Sequence, residues 1–196
     1  MTTRTTPSPP GAGPVAARSD QPGRAGYVVF APNPRGSIGW GQAFVDDVTG
    51  DWEGKAYEDV MRGTDYAEAL PYVDKGRTAA AGASYGGYMV NWIAGHTDRY
   101  RALVSHDGLF DLASMSVSTE ELWFTDWELK APFWENPAQY ERWSPSRFVK
   151  NFKTPTLVIH GALDYRVPDG HGLELWNMLQ QRGVKSRLVY YPNENH

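Results

Sequence analysis

From Tyr27 onward the chain alternates two patterns of apolar and polar positions. Short runs rich in apolar and β-branched residues predict strands at Tyr27 to Ala31, Thr78 to Ala81, Ala102 to Ser105, Thr156 to His160 and Arg187 to Tyr191. Stripes at helical spacing lie between them. Tyr57, Val60, Met61, Ala67 and Leu70 make one such stripe, ended by Pro71. A second helix is expected from Tyr85 to Ala94, closed by Gly95, and a third from about Gly170 to Arg182, closed by Gly183. Thr78 to Ala81 is Ala-rich and weak by propensity, so its assignment rests on the Gly-rich turn that follows. Strands alternating with helices predict an α/β fold built on a doubly wound, mainly parallel sheet.

Between Ser105 and Thr156 neither period holds. Trp123, Trp127, Trp134 and Trp143 crowd into this stretch. Aromatics concentrated off regular elements suggest a pocket wall or docking face, and equally a satellite core beneath a long loop. At the other extreme, five Pro and four Gly fall within the first 26 residues. Such density of chain breakers predicts a disordered tail from Met1 to about Arg24, with one folded domain over 25–196. The tail lacks the apolar run of a signal peptide, so a cytoplasmic location is expected if Met1 is the genuine start.

Composition narrows the function classes. A net charge of −4 gives no electrostatic reason to expect nucleic acid or an anionic membrane as partner. No apolar run reaches the roughly 18 residues of a membrane span. With Cys at zero there is no thiol nucleophile and no Cys-based zinc site, and no H-E-x-x-H spacing suggests another metal or cofactor.

Gly82-Ala83-Ser84-Tyr85-Gly86-Gly87 fits G-x-S-x-G between a predicted strand and an apolar helix. In such a nucleophile elbow, small residues two before and two after the Ser let neighbouring backbones approach. The helix then directs N–H groups at the reacting centre, which makes the Tyr85 N–H the expected oxyanion donor. An acid and then a His must follow Ser84 in the chain. Asp164 lies just past the strand ending at His160, where doubly wound sheets place their sites. Asp107 and Asp111 come early for that role and are read as loop or pocket structure. His196 follows the last strand by a short polar loop and is the expected base, whereas His171 opens a helix and is expected at an exposed capping position. His96, His106 and His160 are read as structural. Together Ser84, Asp164 and His196 predict covalent acyl transfer, on either amide or ester.

The spacing of further motifs gives these residues a family likeness. Asn33-Pro34-Arg35-Gly36-Ser37-Ile38-Gly39-Trp40-Gly41, Gly50-Asp51-Trp52-Glu53-Gly54-Lys55 and Tyr57-Glu58-Asp59 come first. After the elbow follow Glu135-Asn136-Pro137, Trp143-Ser144-Pro145, Ile159-His160-Gly161-Ala162-Leu163-Asp164 and Glu194-Asn195-His196. In this order they resemble the prolyl oligopeptidase family of serine peptidases, in its acylaminoacyl-peptidase and dipeptidyl-peptidase branch. The resemblance implies an α/β-hydrolase domain acting on short peptides without a cofactor. It implies the triad Ser84, Asp164 and His196, with Leu109, Leu112 and Val167 as pocket walls and Arg166 as a polar contact to substrate. It also implies a catalytic domain truncated at both ends, lacking the first strands, their oxyanion loop, the last helix and the family's propeller. Such a piece is expected to be a poor enzyme and to self-associate through an exposed sheet edge. An esterase, or an inactive fragment serving at most as a binding module, stays open beside the peptidase.

Overall fold

The computed structural model describes residues 26–196, so the tail expected over Met1 to Arg24 lies outside the described residues. The chain divides after Lys75 into two compact units. In the first, α1 spans Gln42–Asp46 and α2 spans Lys55–Glu68. Arg35 organises this unit. Its Nε and Nη2 donate to the two carboxylate oxygens of Asp59, each at 2.8 Å, and its backbone N–H donates to Asp59 Oδ2 at 2.9 Å. Nη2 also reaches Glu58 Oε2 at 3.2 Å, and these partners hold the guanidinium pKa above its ordinary value. Here Gly36, at φ 100°, lies so close that an added Cβ would meet Val48 at 2.8 Å.

The strand expected over Tyr27 to Ala31 is not formed. The segment joins no ladder, and among the described residues the unit holds no strand. Its apolar run has a different role: the Phe30 ring fills the place where Gly63 of α2 lacks a side chain. Apolar character alone does not supply the backbone partner a strand needs.

The second unit carries a four-stranded sheet, β1 (Ala79–Ala83), β2 (Ala102–His106), β3 (Thr156–Gly161) and β4 (Ser186–Tyr191), side by side in chain order. Every neighbouring pair is parallel. Helix α3 (Tyr85–His96) connects β1 to β2 and packs on both strands. Helix α7 (Gly170–Gln181) connects β3 to β4 and packs likewise, and Gly183 just beyond it is left-handed at φ 68°. This is the α/β arrangement on a parallel sheet that the alternation predicts.

Helix α3 runs on through Gly95 instead of stopping there. Gly95 is small for packing, since an added Cβ would stand 2.7 Å from Phe148 Cβ. Trp92 and His96 flank it and close on the same Phe148 ring, at 5.0 and 4.5 Å between centroids. The aperiodic stretch resolves into α4 (Leu112–Ser118), α5 (Leu122–Leu129), α6 (Pro137–Trp143) and a 3-10 segment, Pro145–Asn151. The core reading of its tryptophans holds for Trp143, whereas Trp123, Trp127 and Trp134 are each at least 64% exposed. Among the described residues no helix is long and apolar enough to cross a membrane.

Candidate active site

Parallel pairing brings three strand ends to one edge. Ala83 pairs with His106, His106 with Ile159, and Gly161 with Tyr191. Ser84, Asp164 and His196 follow the carboxyl ends of β1, β3 and β4 respectively. Ser84 stands between strand and helix at φ 57°, ψ −121°, a conformation costly for any residue but glycine. It is held there from both sides. Its N–H donates to the His106 carbonyl at 3.0 Å, and its own carbonyl accepts the Tyr88 N–H at 2.9 Å. Two glycines make the turn sterically open. A Cβ on Gly82 would meet the Gly86 carbonyl oxygen at 2.2 Å, and one on Gly87 would meet Gly108 Cα at 2.6 Å.

From Ser84 Oγ a continuous hydrogen-bonded line runs inward. His196 Nε2 lies 2.9 Å from Ser84 Oγ, and His196 Nδ1 lies 2.7 Å from Asp164 Oδ2. Asp164 is buried, and its other oxygen accepts the N–H groups of Arg166 (3.0 Å) and Val167 (2.9 Å). All four lone-pair directions of an ionised carboxylate need donors when water is excluded, and these contacts supply three of them. The loop bearing His196 is tied to the loop bearing Asp164: the Leu163 N–H donates to the Glu194 carbonyl at 3.0 Å. Gly161 allows that approach, because a Cβ there would stand 2.5 Å from the Glu194 oxygen.

The rival acids sit nearby in other roles. Asp111 caps α4, accepting from Ala113 and Ser114 N–H, and also accepts from Ser146 Oγ at 2.7 Å. Asp107 is buried at φ 45°, accepts the Gly161 N–H at 3.2 Å and faces His106 Nε2 at 3.0 Å. Asp107, Asp164 and His196 bring one ligand-type atom each within 4.8 Å of one another, the one group among the described residues with metal-like proximity. Its atoms already serve each other and the backbone, since His196 Nδ1 is engaged with Asp164 and Asp107 holds Gly161.

The expected exposed cap at His171 is corrected: the residue is buried. Its Nδ1 faces the N–H groups of Phe110 (3.2 Å) and Asp111 (3.4 Å), contacts that only a chain folded back on α7 can bring. Burial, with a smaller contribution from His160, pushes its pKa down to about 4. His160, on β3, is fully buried and donates from Nε2 to the Val167 carbonyl at 2.8 Å.

Leu109, Leu112 and Val167 are all buried. Leu109 abuts α3, its carbonyl accepting from Asn91 Nδ2 at 2.9 Å, and the Leu112 N–H donates to Ser144 Oγ at 2.8 Å. Arg166 is half-exposed, with Nη2 at 3.3–3.4 Å from Glu121 and Glu120. Tyr85 opens α3 immediately after Ser84. Two residues of the loop network had no part in the sequence-based site. Thr119 donates from Oγ1 to the Arg166 carbonyl at 2.7 Å, and Gly161 lets two loops meet. Gly161 was visible as part of the motif around Asp164, whereas Thr119 sits in no motif at all.

Comparison with known proteins adds a lineage to this geometry. The model of the prolyl oligopeptidase family matches residues 20–196. Dipeptidyl-peptidase 5 of Aspergillus oryzae is 51% identical over 177 residues, covering 87% of this chain and 24% of that protein. Dipeptidyl-peptidase 5 of Schizosaccharomyces pombe is 47% identical, covering 88% and 26%. Among solved structures, the acylaminoacyl peptidase of Pyrococcus horikoshii superposes with a TM-score of 0.80 at 29% identity, over 84% of this chain and 27% of that one. A puromycin-hydrolysing peptidase of Mycobacterium tuberculosis gives 0.78 at 25% identity, over 84% and 25%. The chain thus spans about a quarter of the length of the curated relatives it matches.

Proposed function

The chain belongs to the prolyl oligopeptidase family, and on that premise we propose that it carries the catalytic centre of a serine peptidase acting on short peptides. Ser84 is the nucleophile, His196 the general base and Asp164 the residue that orients the imidazole. One observation carries this reading: the line Ser84 Oγ, His196 Nε2, His196 Nδ1 and Asp164 Oδ2, with contacts of 2.9 and 2.7 Å, starting from a strained elbow.

In the mechanism this supports, Ser84 Oγ attacks the scissile carbonyl carbon as its proton passes to His196 Nε2. Asp164 accepts the Nδ1–H and stabilises the imidazolium that forms. The Tyr85 N–H, in the first turn of α3, is the donor for the developing oxyanion. Collapse of the tetrahedral adduct breaks the C–N bond as His196 returns the proton to the leaving amine. Water, deprotonated by the same nitrogen, then releases the acid and restores Ser84. Leu109, Leu112 and Val167 are proposed to line the pocket for the residue before the cleaved bond, and Arg166 to contact the substrate backbone. The relatives named dipeptidyl-peptidase 5 extend the proposal to release of amino-terminal dipeptides.

A fluorophosphonate, which phosphonylates only an activated serine, tests the centre directly. We expect it to label Ser84, and Ser84→Ala to abolish both labelling and dipeptidyl-arylamide hydrolysis while thermal unfolding is unchanged. Loss of a triad nucleophile costs several orders of magnitude in rate. Retained hydrolysis by folded Ser84→Ala would overturn the assignment, and turnover of aryl esters without arylamides would turn the reading to an esterase.

A further inference from the structure

The loop that presents Asp164 is held in an unusual way. Two N–H groups, from Arg166 and Val167, grip Asp164 Oδ1, as an isolated Asx-type turn would allow. The carbonyls of the same two residues are not left to solvent. The Arg166 carbonyl accepts from Thr119 Oγ1 at 2.7 Å, and the Val167 carbonyl accepts from His160 Nε2 at 2.8 Å. Both donors are buried side chains on separate elements, Thr119 at the end of α4 and His160 within β3.

We propose, on the catalytic reading of Ser84, His196 and Asp164, that Thr119 and His160 are positioning residues that fix the triad carboxylate by pinning the loop carbonyls at Arg166 and Val167. Each residue gripping Asp164 is thereby anchored at its other polar group, so the carboxylate cannot swing without breaking a buried hydrogen bond.

Both donors are themselves fixed. Thr119 Oγ1 accepts the Glu121 N–H at 3.1 Å while donating to Arg166, so the hydroxyl has one orientation that serves both. The same strap is fastened again where the Glu120 N–H donates to the Tyr165 carbonyl at 2.7 Å. For His160, a carbonyl oxygen only accepts, so the proton must sit on Nε2. Its buried Nδ1 has no hydrogen-bond partner, and the ring is confined from that side by α7. A Cβ on Gly172 would stand 2.5 Å from His160 Nδ1, which explains a glycine inside α7 with ordinary helical geometry. Nor does His160 duplicate Asp164's partner: its Nε2 lies 3.7 Å from Asp164 Oδ2 and 3.8 Å from Asp107 Oδ1, beyond hydrogen-bond length. A histidine whose side-chain hydrogen bond goes to the loop carbonyl, and not to the carboxylate, acts on the triad through that loop.

The test pairs isosteric deletions with conservative replacements. Thr119→Val removes the hydroxyl and keeps the shape, whereas Thr119→Ser keeps the donor. His160→Leu removes a donor that His160→Gln retains. Two readouts are followed in folded protein: the rate of fluorophosphonate labelling, and the proton resonance of His196 Nδ1, which reports the contact to Asp164 without needing turnover. We expect Thr119→Val and His160→Leu to slow labelling roughly 10- to 100-fold, the scale of a displaced catalytic contact. The Nδ1 proton should move upfield in both, with rate and resonance close to wild type in Thr119→Ser and His160→Gln. Folded Thr119→Val with wild-type labelling and an unmoved proton would overturn the inference. Should His160→Leu fail to fold, the Thr119 pair decides. If wild type is not labelled at Ser84, the catalytic reading fails instead, and the Nδ1 resonance alone still judges the pinning.

Discussion

Each of the two units of this chain is ordered internally by its own kind of interaction. In residues 26–75, Arg35 collects Asp59, Glu58 and the Lys55 carbonyl, around two helices and no ladder. Large apolar side chains such as Ile38, Tyr66 and Tyr72 stay exposed there. From Gly76 onward, order comes from a parallel ladder whose strand ends, helix and loops approach one another closely enough that single hydrogen atoms are required at Gly82, Gly87 and Gly161. A charge cluster tolerates movement, because long side chains re-form their contacts. Backbone in contact with backbone does not. The proposed triad stands in the unit of the second kind, as chemistry sensitive to fractions of an ångström demands.

The sharpest way to break this contrast is to place a methyl group at the backbone contact. Gly87→Ala would drive a Cβ to 2.6 Å from Gly108 Cα and 2.7 Å from the His106 carbonyl oxygen. Neither neighbour is a side chain that can swing away. We expect a loss of about 3 kcal/mol or more, or failure to fold, read from urea unfolding. A near-neutral effect would show that α3 and the β2 end are not locked together.

Next in size is a pH effect confined to the second unit. His171 has its pKa pushed from 6.5 to about 4 by burial. Between these values the unfolded chain binds a proton that the folded chain does not, so stability rises with pH. Its contribution is fully present above about pH 6.5 and is lost as pH falls towards 4, on the order of 3 kcal/mol in all. His171→Gln, which still offers an acceptor to Phe110 and Asp111, should flatten the stability profile in that window relative to wild type. Profiles that run parallel would contradict it.

The smallest expected effect lies in the first unit. Arg35→Lys keeps the charge but loses the two-pronged grip on Asp59, and should cost about 1 kcal/mol, with a visible dependence on salt. A cost above that of Gly87→Ala would invert the comparison, making the charge cluster the more rigid element.

What sequence could and could not reveal follows the same division. Three ladder strands and the long helices were legible from the apolar runs and stripes that burial imposes, whereas Ala-rich, half-exposed β1 was legible only through the elbow after it, whose glycines are sterically obligatory. Tyr27 to Ala31 misled, since an apolar run does not say whether it meets a strand or, as with Phe30, a helix glycine. Gly95 misled as well: it reads as a stop signal but is a packing gap for Phe148. The short helices α4 to α6 have too few turns to display periodicity. His171 looked exposed because a cap position and a buried position share one local pattern, and only the contacts from Phe110 and Asp111 separate them. Thr119 was beyond reach, because a hydroxyl that serves a carbonyl 47 residues away leaves no local trace.

The backbone at Ser84 has one more consequence. At φ 57°, ψ −121° a glycine would rest easily where the serine pays on the order of 1–3 kcal/mol in strain. Every generation of this gene therefore faces a standing inducement: a single exchange of Ser84 for glycine would yield a sturdier protein. On the proposed catalytic role of Ser84, the benefit of hydrolysis is what opposes it. In a lineage without use for the proposed reaction, drift would be biased at this codon before its neighbours, so the identity of residue 84 among close descendants serves as a gauge of that proposal.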